Sequence, residues 1–173
     1  MQGAIVILSG PVGAGKTTVA RELVALLPDQ VACIEGDLFW SFLRKGYAPG
    51  PTAGGFRLLM AGMLAAAVPF AASGALTIVD FSIPPWYLDT ARKIASVRAV
   101  PLHYVVLRPP LEICASRARS RTQGAIADYG ELTALHQDFE QVPETQVVGE
   151  VAPPGETAAL VAAGLNDGRF RLR

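Results

Sequence analysis

The sequence predicts an α/β fold in which helices cover both faces of a parallel sheet. Five short apolar runs alternate along the chain with longer stretches of helical character. The runs are continuously apolar rather than alternating, as expected of parallel strands that are buried on both faces. The first run leads directly into a glycine-rich segment that opens a helix, which is the usual start of a strand–loop–helix unit. At 173 residues the chain is most simply a single domain, residues 1–173.

The individual elements follow from local sequence. Apolar and β-branched runs predict strands at Ala4–Leu8, Val31–Ile34, Leu76–Val79, Leu102–Leu107 and Thr145–Val148. The intervening stretches predict helices at Gly15–Leu27, Asp37–Arg44, Gly54–Ala72, Pro85–Val97, Leu111–Arg121, Tyr129–Gln141 and Glu156–Leu165. Proline and glycine residues separate these elements. Since ligands of such folds bind at the carboxyl ends of the strands, the polar residues that follow each strand are the candidates for function.

Composition narrows the classes of partner. Fifteen basic and fifteen acidic residues balance, and no long charge run occurs, so we expect neither a nucleic-acid nor a membrane partner. The N-terminus lacks a basic region and a cleavage site, which favours a cytoplasmic protein. Cys33 and Cys114 stand in apolar surroundings and are expected to be buried, reduced thiols. His103 lies in a strand-like run, where we expect it to serve packing, and no metal-ligand spacing is present. The composition does not indicate an oligomeric state.

One uncharged stretch, Leu58 to Val79, is long enough to cross a bilayer. It contains Pro69 and the breaker pair Ser73-Gly74, and after that pair it changes from helix-like to β-branched. We therefore expect a buried helix, a turn and a buried strand rather than a membrane span.

The segment after the first strand has the pattern G-x-x-x-x-G-K-[ST] of a phosphate-binding loop. Its residues are Gly10, Pro11, Val12, Gly13, Ala14, Gly15, Lys16 and Thr17, and Thr18 follows. Glycines let the backbone amides wrap a phosphate, and the helix N-terminus adds partial positive charge. Lys16 is expected to reach the β- and γ-phosphates of a nucleotide and Thr17 to ligate Mg²⁺. The alternative is a glycine-rich turn without a ligand.

Two carboxylates follow predicted strands and are expected near this loop. Asp37 comes after the second strand and is our candidate for the group that orients or deprotonates an acceptor hydroxyl. Its alternative role is to cap the helix that follows. Asp80 comes after the third strand and is assigned to Mg²⁺ or to the substrate, with a simple turn residue as the alternative.

Arg57 and Pro153 are weaker candidates. Arg57 stands near the start of a long apolar helix, where the helix dipole does not favour a cation, so substrate binding would explain it. A solvated arginine is an equally good explanation. Pro153, in the loop after the last strand, is placed to flank a nucleoside base, or else belongs to an ordinary connection.

The segment Arg117-Ala118-Arg119-Ser120-Arg121 ends a predicted helix before a glycine-containing loop. Arg117 and Arg121 lie one helical turn apart and share a face. Arginines also favour a helix C-terminus for electrostatic reasons alone. In a phosphate-loop enzyme they would belong to a lid, about residues 115–130, and stabilise charge on the transferred phosphoryl group.

Together these residues resemble the P-loop kinase superfamily, in particular its small-molecule kinases of the shikimate kinase, gluconate kinase and chloramphenicol phosphotransferase group. The resemblance spans nearly the whole chain, including the closing Gly168-Arg169-Phe170. It implies a three-layer αβα fold, a five-stranded parallel sheet in the order 2-3-1-4-5, a short helical lid, ATP as donor and Mg²⁺. Asp80-Phe81-Ser82 replaces the Gly-Gly-Gly turn of shikimate kinases, which argues against shikimate itself.

We therefore expect an ATP- and magnesium-dependent kinase that phosphorylates a hydroxyl of a small molecule such as a sugar acid or an antibiotic. The alternatives are a nucleotide or nucleic-acid 5′-hydroxyl kinase and a non-catalytic nucleotide-binding regulatory module. The balanced charge weakens the polynucleotide version, because a polynucleotide track needs a basic stripe. The sequence lacks the Asn-Lys-x-Asp motif with which a GTPase reads its base.

Overall fold

A five-stranded parallel sheet forms the centre of the protein, in the order β2-β3-β1-β4-β5. The computed structural model describes residues 3–27, 30–47, 54–120, 126, 128–149 and 152–172. The strands are β1 (Ala4–Ser9), β2 (Val31–Glu35), β3 (Leu76–Asp80), β4 (Leu102–Leu107) and β5 (Val147–Val148). The parallel sheet and its strand order are confirmed.

Six α-helices and four short 3₁₀ helices connect the strands within the described residues. The α-helices are α1 (Lys16–Leu26), α2 (Gly54–Ala72), α3 (Leu88–Ser96), α4 (Leu111–Arg119), α5 (Thr133–Glu140) and α6 (Pro154–Asn166). The 3₁₀ helices are Gly36–Phe42, Pro85–Tyr87, Gly130–Leu132 and Glu144–Gln146. The predicted helices that begin at Pro85 and Tyr129 therefore start with 3₁₀ turns before α3 and α5.

Two sequence-based assignments are wrong in type or length. The predicted α-helix Asp37–Arg44 is a 3₁₀ helix, because a glycine and three aromatic residues in seven positions give it low helix propensity. The predicted strand Thr145–Val148 is reduced to Val147–Val148, because Pro143 starts a 3₁₀ turn just before it. The C-terminal segment occupies the other half of that edge of β4, where Tyr104 N–H donates to the Phe170 carbonyl (2.9 Å).

Each face of the sheet has its own apolar core. Ile5 and Ile7 of β1 pack with residues of α2, α3 and α5, whereas Val6 and Leu8 pack with residues of α1, α4 and α6. This alternation follows from the two-residue period of a strand, and it explains why the strands are apolar at every position.

Burial also explains the uncharged stretch. Among the described residues, α2 is the one helix long and apolar enough to cross a membrane, and half of its most apolar window is buried inside the protein. Met60, Met63 and Ala67 are fully enclosed in the core between α2 and the sheet. The expected order of buried helix, turn and buried strand is therefore observed.

The two thiols and His103 are not all equally shielded from solvent. Cys114 and His103 are buried, as expected. Cys33 is exposed, so its predicted burial is wrong. The reason is that β2 is the edge strand of the sheet and is only partly covered. Both thiols are free.

Candidate functional site

The phosphate-binding loop has the conformation that its glycines predict. Gly10, Gly13 and Gly15 have φ angles of +139°, +84° and +94°, which disfavour any side chain. A Cβ on Gly10 would lie 2.1 Å from the carbonyl oxygen of Leu107, and one on Gly13 would lie 2.1 Å from that of Cys114. Because β4 and α4 approach the loop this closely, the backbone can turn here only without side chains. Such a turn at a helix N-terminus suits an anionic ligand.

Lys16 lies within the loop and its ammonium group is buried. Its Nζ donates hydrogen bonds to the carbonyls of Gly10 (3.2 Å) and Pro11 (3.0 Å) and to the hydroxyl of Ser82 (2.9 Å). Ser82 was not singled out from the sequence. Its position two residues after β3, at the ligand-binding edge of a parallel sheet, is the signal that could have identified it.

Three carboxylates line the same cleft as Lys16. Glu35 and Asp80 end neighbouring strands in the same register, and Asp37 follows two residues after the end of β2. Burial raises the pKa of Asp80, and the charges of Asp37 and Glu35 raise it further, while the Thr17 hydroxyl and Lys16 oppose the increase. Glu35, like Ser82, was missed by the sequence analysis as a site residue.

The alternative role of Asp37 as a helix cap is not observed. Glu35 occupies the N-cap of the 3₁₀ helix and makes no side-chain capping bond, while Asp37 lies inside the first turn. The Asp37 side chain is exposed and lines the cleft beside the phosphate-binding loop. It is therefore available to a ligand.

A cleft of about 630 Å³ unites most of the predicted site residues. The predicted residues that line it are Val12, Gly13, Gly15, Lys16, Thr17, Thr18, Asp37, Asp80 and Arg117. Four further residues that the sequence analysis did not select also line it: Arg21, Glu35, Phe81 and Ser82. Of the remaining loop residues, Gly10 and Pro11 contact Lys16, and Ala14 lines a second, smaller cleft.

Arg117, on the last turn of α4, is the predicted lid arginine that reaches the loop. A Cβ on Gly15 would have the Arg117 Nη1 as its nearest neighbour, at 3.7 Å. Further along the predicted lid, the Tyr129 hydroxyl donates to the Val12 carbonyl (2.7 Å), so this part of the chain is attached to the loop as well. Arg121 lies outside the described residues.

The second cleft, of about 220 Å³, lies on the β4–β5 side of the loop. Thr18, Leu107 and Arg117 line it, together with Ala152 and Pro154 from the connection after β5. Pro153 is exposed and is not among its lining residues, although the prediction placed it beside a base. The connection lies where it was expected, with the neighbours of Pro153 rather than Pro153 itself facing the cleft.

Arg57 is not brought to either cleft. Its guanidinium lies over the ring of Trp86, with Cζ 4.4 Å from the ring centroid. The indole N–H of Trp86 in turn donates to Asp138 (2.8 Å), and the Tyr87 hydroxyl donates to the Arg57 carbonyl (3.2 Å). A cation–π contact thus accounts for this arginine without a substrate.

A buried hydrogen-bond cluster holds the segment that carries Ser82. The Ser9 hydroxyl donates to the Ile83 carbonyl and accepts from the Ile83 N–H, both at 2.8 Å. The Tyr104 hydroxyl donates to the same carbonyl, also at 2.8 Å. Burial raises the pKa of Tyr104 above its usual range, so the hydroxyl remains a donor.

Thr17 and Asp80 are the residues best suited to a divalent cation. Burial raises the pKa of Asp80 and the Thr17 hydroxyl lowers it, so the two groups interact; a hydroxyl with a carboxylate is the oxygen donor set that Mg²⁺ prefers. Among the described residues, no group of three or more His, Cys, Asp or Glu side chains could hold a metal ion by itself. Any Mg²⁺ at this site would therefore depend on phosphate oxygens and water for its other ligands.

The family model described as "AAA domain" matches residues 5–142. No curated protein is significantly similar to the chain in sequence.

Several solved structures share the fold. The APS kinase of Mycobacterium tuberculosis, in complex with AMPPNP and APS, is 20% identical with a TM-score of 0.73, covering 95% of this chain and 98% of its own. The tunicamycin resistance protein of Deinococcus radiodurans is 20% identical with a TM-score of 0.70, covering 95% and 96%. A sugar kinase from Janibacter sp. HTCC2649 is 18% identical with a TM-score of 0.70, covering 95% of both chains.

Proposed function

The chain belongs to the AAA domain family and has the P-loop kinase fold, and we propose that it transfers the γ-phosphoryl group of ATP to a hydroxyl of a small molecule. One observation carries the proposal. The phosphate-binding loop, with Lys16 and Thr17, lines the same cleft as Asp80 and Asp37. Residues suited to binding phosphate and an exposed carboxylate therefore face one cavity. The solved neighbours, which include an APS kinase and a sugar kinase, support phosphoryl transfer in general.

The donor would be held by backbone and ammonium together. Amides of the loop would bind the phosphate oxygens, and Lys16 would exchange its bonds to Ser82 and the loop carbonyls for the β- and γ-phosphates. The second cleft, between the loop and the connection after β5, would take the base. Bound Mg²⁺, held by Thr17 and Asp80, would neutralise developing negative charge on the phosphates.

Asp37 would serve the acceptor. A carboxylate that accepts a hydrogen bond from the attacking hydroxyl orients its oxygen and takes up its proton as the new bond forms. Asp37 is exposed to the cleft, whereas Asp80 is buried beside Thr17 and Lys16. We therefore assign the acceptor role to Asp37 and the metal role to Asp80.

Arg117 would stabilise the phosphoryl group during transfer. It lines both clefts and lies beside Gly15, where its guanidinium would stabilise negative charge that develops on the donor phosphates. The predicted lid at about residues 115–130, part of which lies outside the described residues, would exclude water and limit hydrolysis of ATP. A catalytic role for Arg121 stays a prediction, as does nucleotide contact by Pro153. We propose a cytoplasmic location for an ATP-dependent enzyme of this kind.

The test is an ADP-release assay with ATP and GTP as donors and a panel of sugars, sugar acids, aminoglycosides, phenicols and nucleosides as acceptors. We expect acceptor-dependent ADP release that Lys16→Ala abolishes while the far-UV circular dichroism spectrum is unchanged. Lys93→Ala, which removes an exposed lysine of α3, is the matched control and should retain full activity. ATP binding without transfer to any hydroxyl compound would instead indicate a nucleotide-binding regulatory module.

A further inference from the structure

We propose that the acceptor is a hydroxyl compound without an anionic group, either neutral or carrying an amine. This inference rests on the proposed kinase function and deepens it. Two observations support it: the side of the cleft from which the acceptor must approach, and the charges of the residues that line that side.

The order of the strands decides the acceptor side. The phosphate-binding loop follows β1, and the smaller cleft suited to a base lies toward β4 and β5. In phosphoryl transfer, the attacking and leaving oxygens lie roughly in line on opposite sides of the phosphorus. The acceptor hydroxyl must therefore approach from the opposite side, above β3 and β2.

That side of the cleft is acidic. Three cations and three carboxylates are among the described residues that line the whole cleft. Lys16 and Arg117 lie against the loop itself and would be matched to the phosphates of the donor. The carboxylates of Glu35, Asp37 and Asp80 all lie at the ends of β2 and β3, on the acceptor side.

Among the described residues that line the cleft, one cation remains for that side, and it is paired with a carboxylate. Arg21 Nη2 lies 3.7 Å from Glu35 Oε1. Asp80 is assigned to the metal. Among the other described residues that line the acceptor side, no cation is then left to pair with Asp37. Hydroxyl and ammonium groups donate hydrogen bonds to carboxylates, whereas a carboxylate, sulfate or phosphate of an acceptor would only add like charge.

The arginine that the sequence suggested for substrate binding makes a different contact. Arg57 lies over Trp86 and does not line the cleft. Arg44 and Lys45 are exposed and do not line it either. In sequence, residues 48–53 (A-P-G-P-T-A), which lie outside the described residues, contain no charged side chain.

Matched acceptors test the inference directly. ADP release is measured with ATP and Mg²⁺ for glucosamine, glucose and glucuronate, which differ mainly in charge, and for adenosine against AMP. We expect turnover, measured as kcat/KM, to be highest for amine or neutral members and lowest for anionic members. Higher kcat/KM for the anionic members would overturn the inference while leaving the kinase proposal intact. Turnover of no acceptor by a protein that binds ATP would refute both.

Glu35→Gln provides the residue-level test on the best pair of acceptors found. One charge removed at roughly 6 Å in a water-filled cleft is worth about a threefold change in binding. The variant should lower kcat/KM for the cationic acceptor and raise it for the anionic one, so their ratio changes about tenfold. Glu22→Gln, the same change on an exposed part of α1 outside both clefts, should leave the ratio unaltered. A ratio that Glu35→Gln leaves unaltered would contradict the inference.

Discussion

The buried cluster around Ile83 yields a ranked prediction for two conservative substitutions. Ser9, Ile83 and Tyr104 are completely shielded from solvent. Tyr104→Phe removes one donor to the Ile83 carbonyl, which still accepts from Ser9 at 2.8 Å. Ser9→Ala removes the other donor and also one of the two acceptors of the Ile83 N–H, which keeps its hydrogen bond to the Phe81 carbonyl (2.9 Å). The serine substitution should therefore be the more damaging of the two.

The magnitudes follow from the number of hydrogen bonds that each change removes. A single lost hydrogen bond with its acceptor still satisfied costs about 1 kcal/mol of unfolding free energy. Ser9→Ala removes two hydrogen bonds, one donated to the Ile83 carbonyl and one accepted from the Ile83 N–H, so it should cost about 2 kcal/mol. For a chain of this size each 1 kcal/mol lowers Tm by about 2–4 °C.

Urea unfolding at constant m-value, combined with kinetics, checks the ranking. Tyr47→Phe, which removes an exposed hydroxyl, is the control and should be neutral within about 0.5 kcal/mol. Because the cluster holds the segment of Ser82, Ser9→Ala should also lower kcat/KM for ATP, whereas Tyr104→Phe should affect it little. A loss of stability in Tyr104→Phe that equals or exceeds that in Ser9→Ala would refute the reasoning.

Three further predictions concern the site and its surroundings. Asp37→Asn should reduce kcat by about 100-fold while ATP affinity measured by calorimetry changes little, since an acceptor-side carboxylate acts in the chemical step; equal losses in both quantities would contradict that role. Gly13→Ala should lower the unfolding free energy by at least about 2 kcal/mol more than Gly46→Ala, as measured by thermal unfolding. Both glycines have φ near +84°, but a Cβ on Gly13 meets the carbonyl of Cys114 and one on Gly46 meets nothing within 4 Å. Partial desolvation and two nearby carboxylates raise the pKa of Cys33 to about 11. The rate of its alkylation by iodoacetamide should therefore be slow at pH 8 and rise steeply toward pH 11, because the thiolate is the reactive form. A rate that reaches its plateau near pH 9 would exclude the raised pKa.

Local pattern was sufficient for most of the fold. Continuous apolar runs identified all five strands, and α2 has the bounds that its composition predicts. The two inaccurate assignments, at Asp37–Arg44 and Thr145–Val148, have local causes in helix propensity and in the turn at Pro143. In the second case Phe170, which is distant in sequence, also pairs with β4 and limits the length that β5 can reach.

Some residues of the candidate site could likewise be identified from local sequence, whereas others could not. The phosphate-binding loop is local, because eight consecutive residues contain both the glycines that permit the turn and the lysine that completes it. Glu35 and Ser82 are distant from it in sequence, and only the register of β2 on β3 and the hydrogen bond to Lys16 place them there. Arg57 shows the converse, since its position in sequence suggested a ligand but its contact with Trp86 occupies it.

Residue types at fixed spacing within one turn are enough to specify a backbone cage for phosphate, which is the donor side of the proposed reaction. The proposed acceptor side depends on folding instead, because residues from β2, β3 and α1 come together there and its charge depends on which side chains face the cleft. Short-range steric rules act along the chain and can be read from it. Electrostatic interactions act through space, and so they follow from the folded arrangement alone.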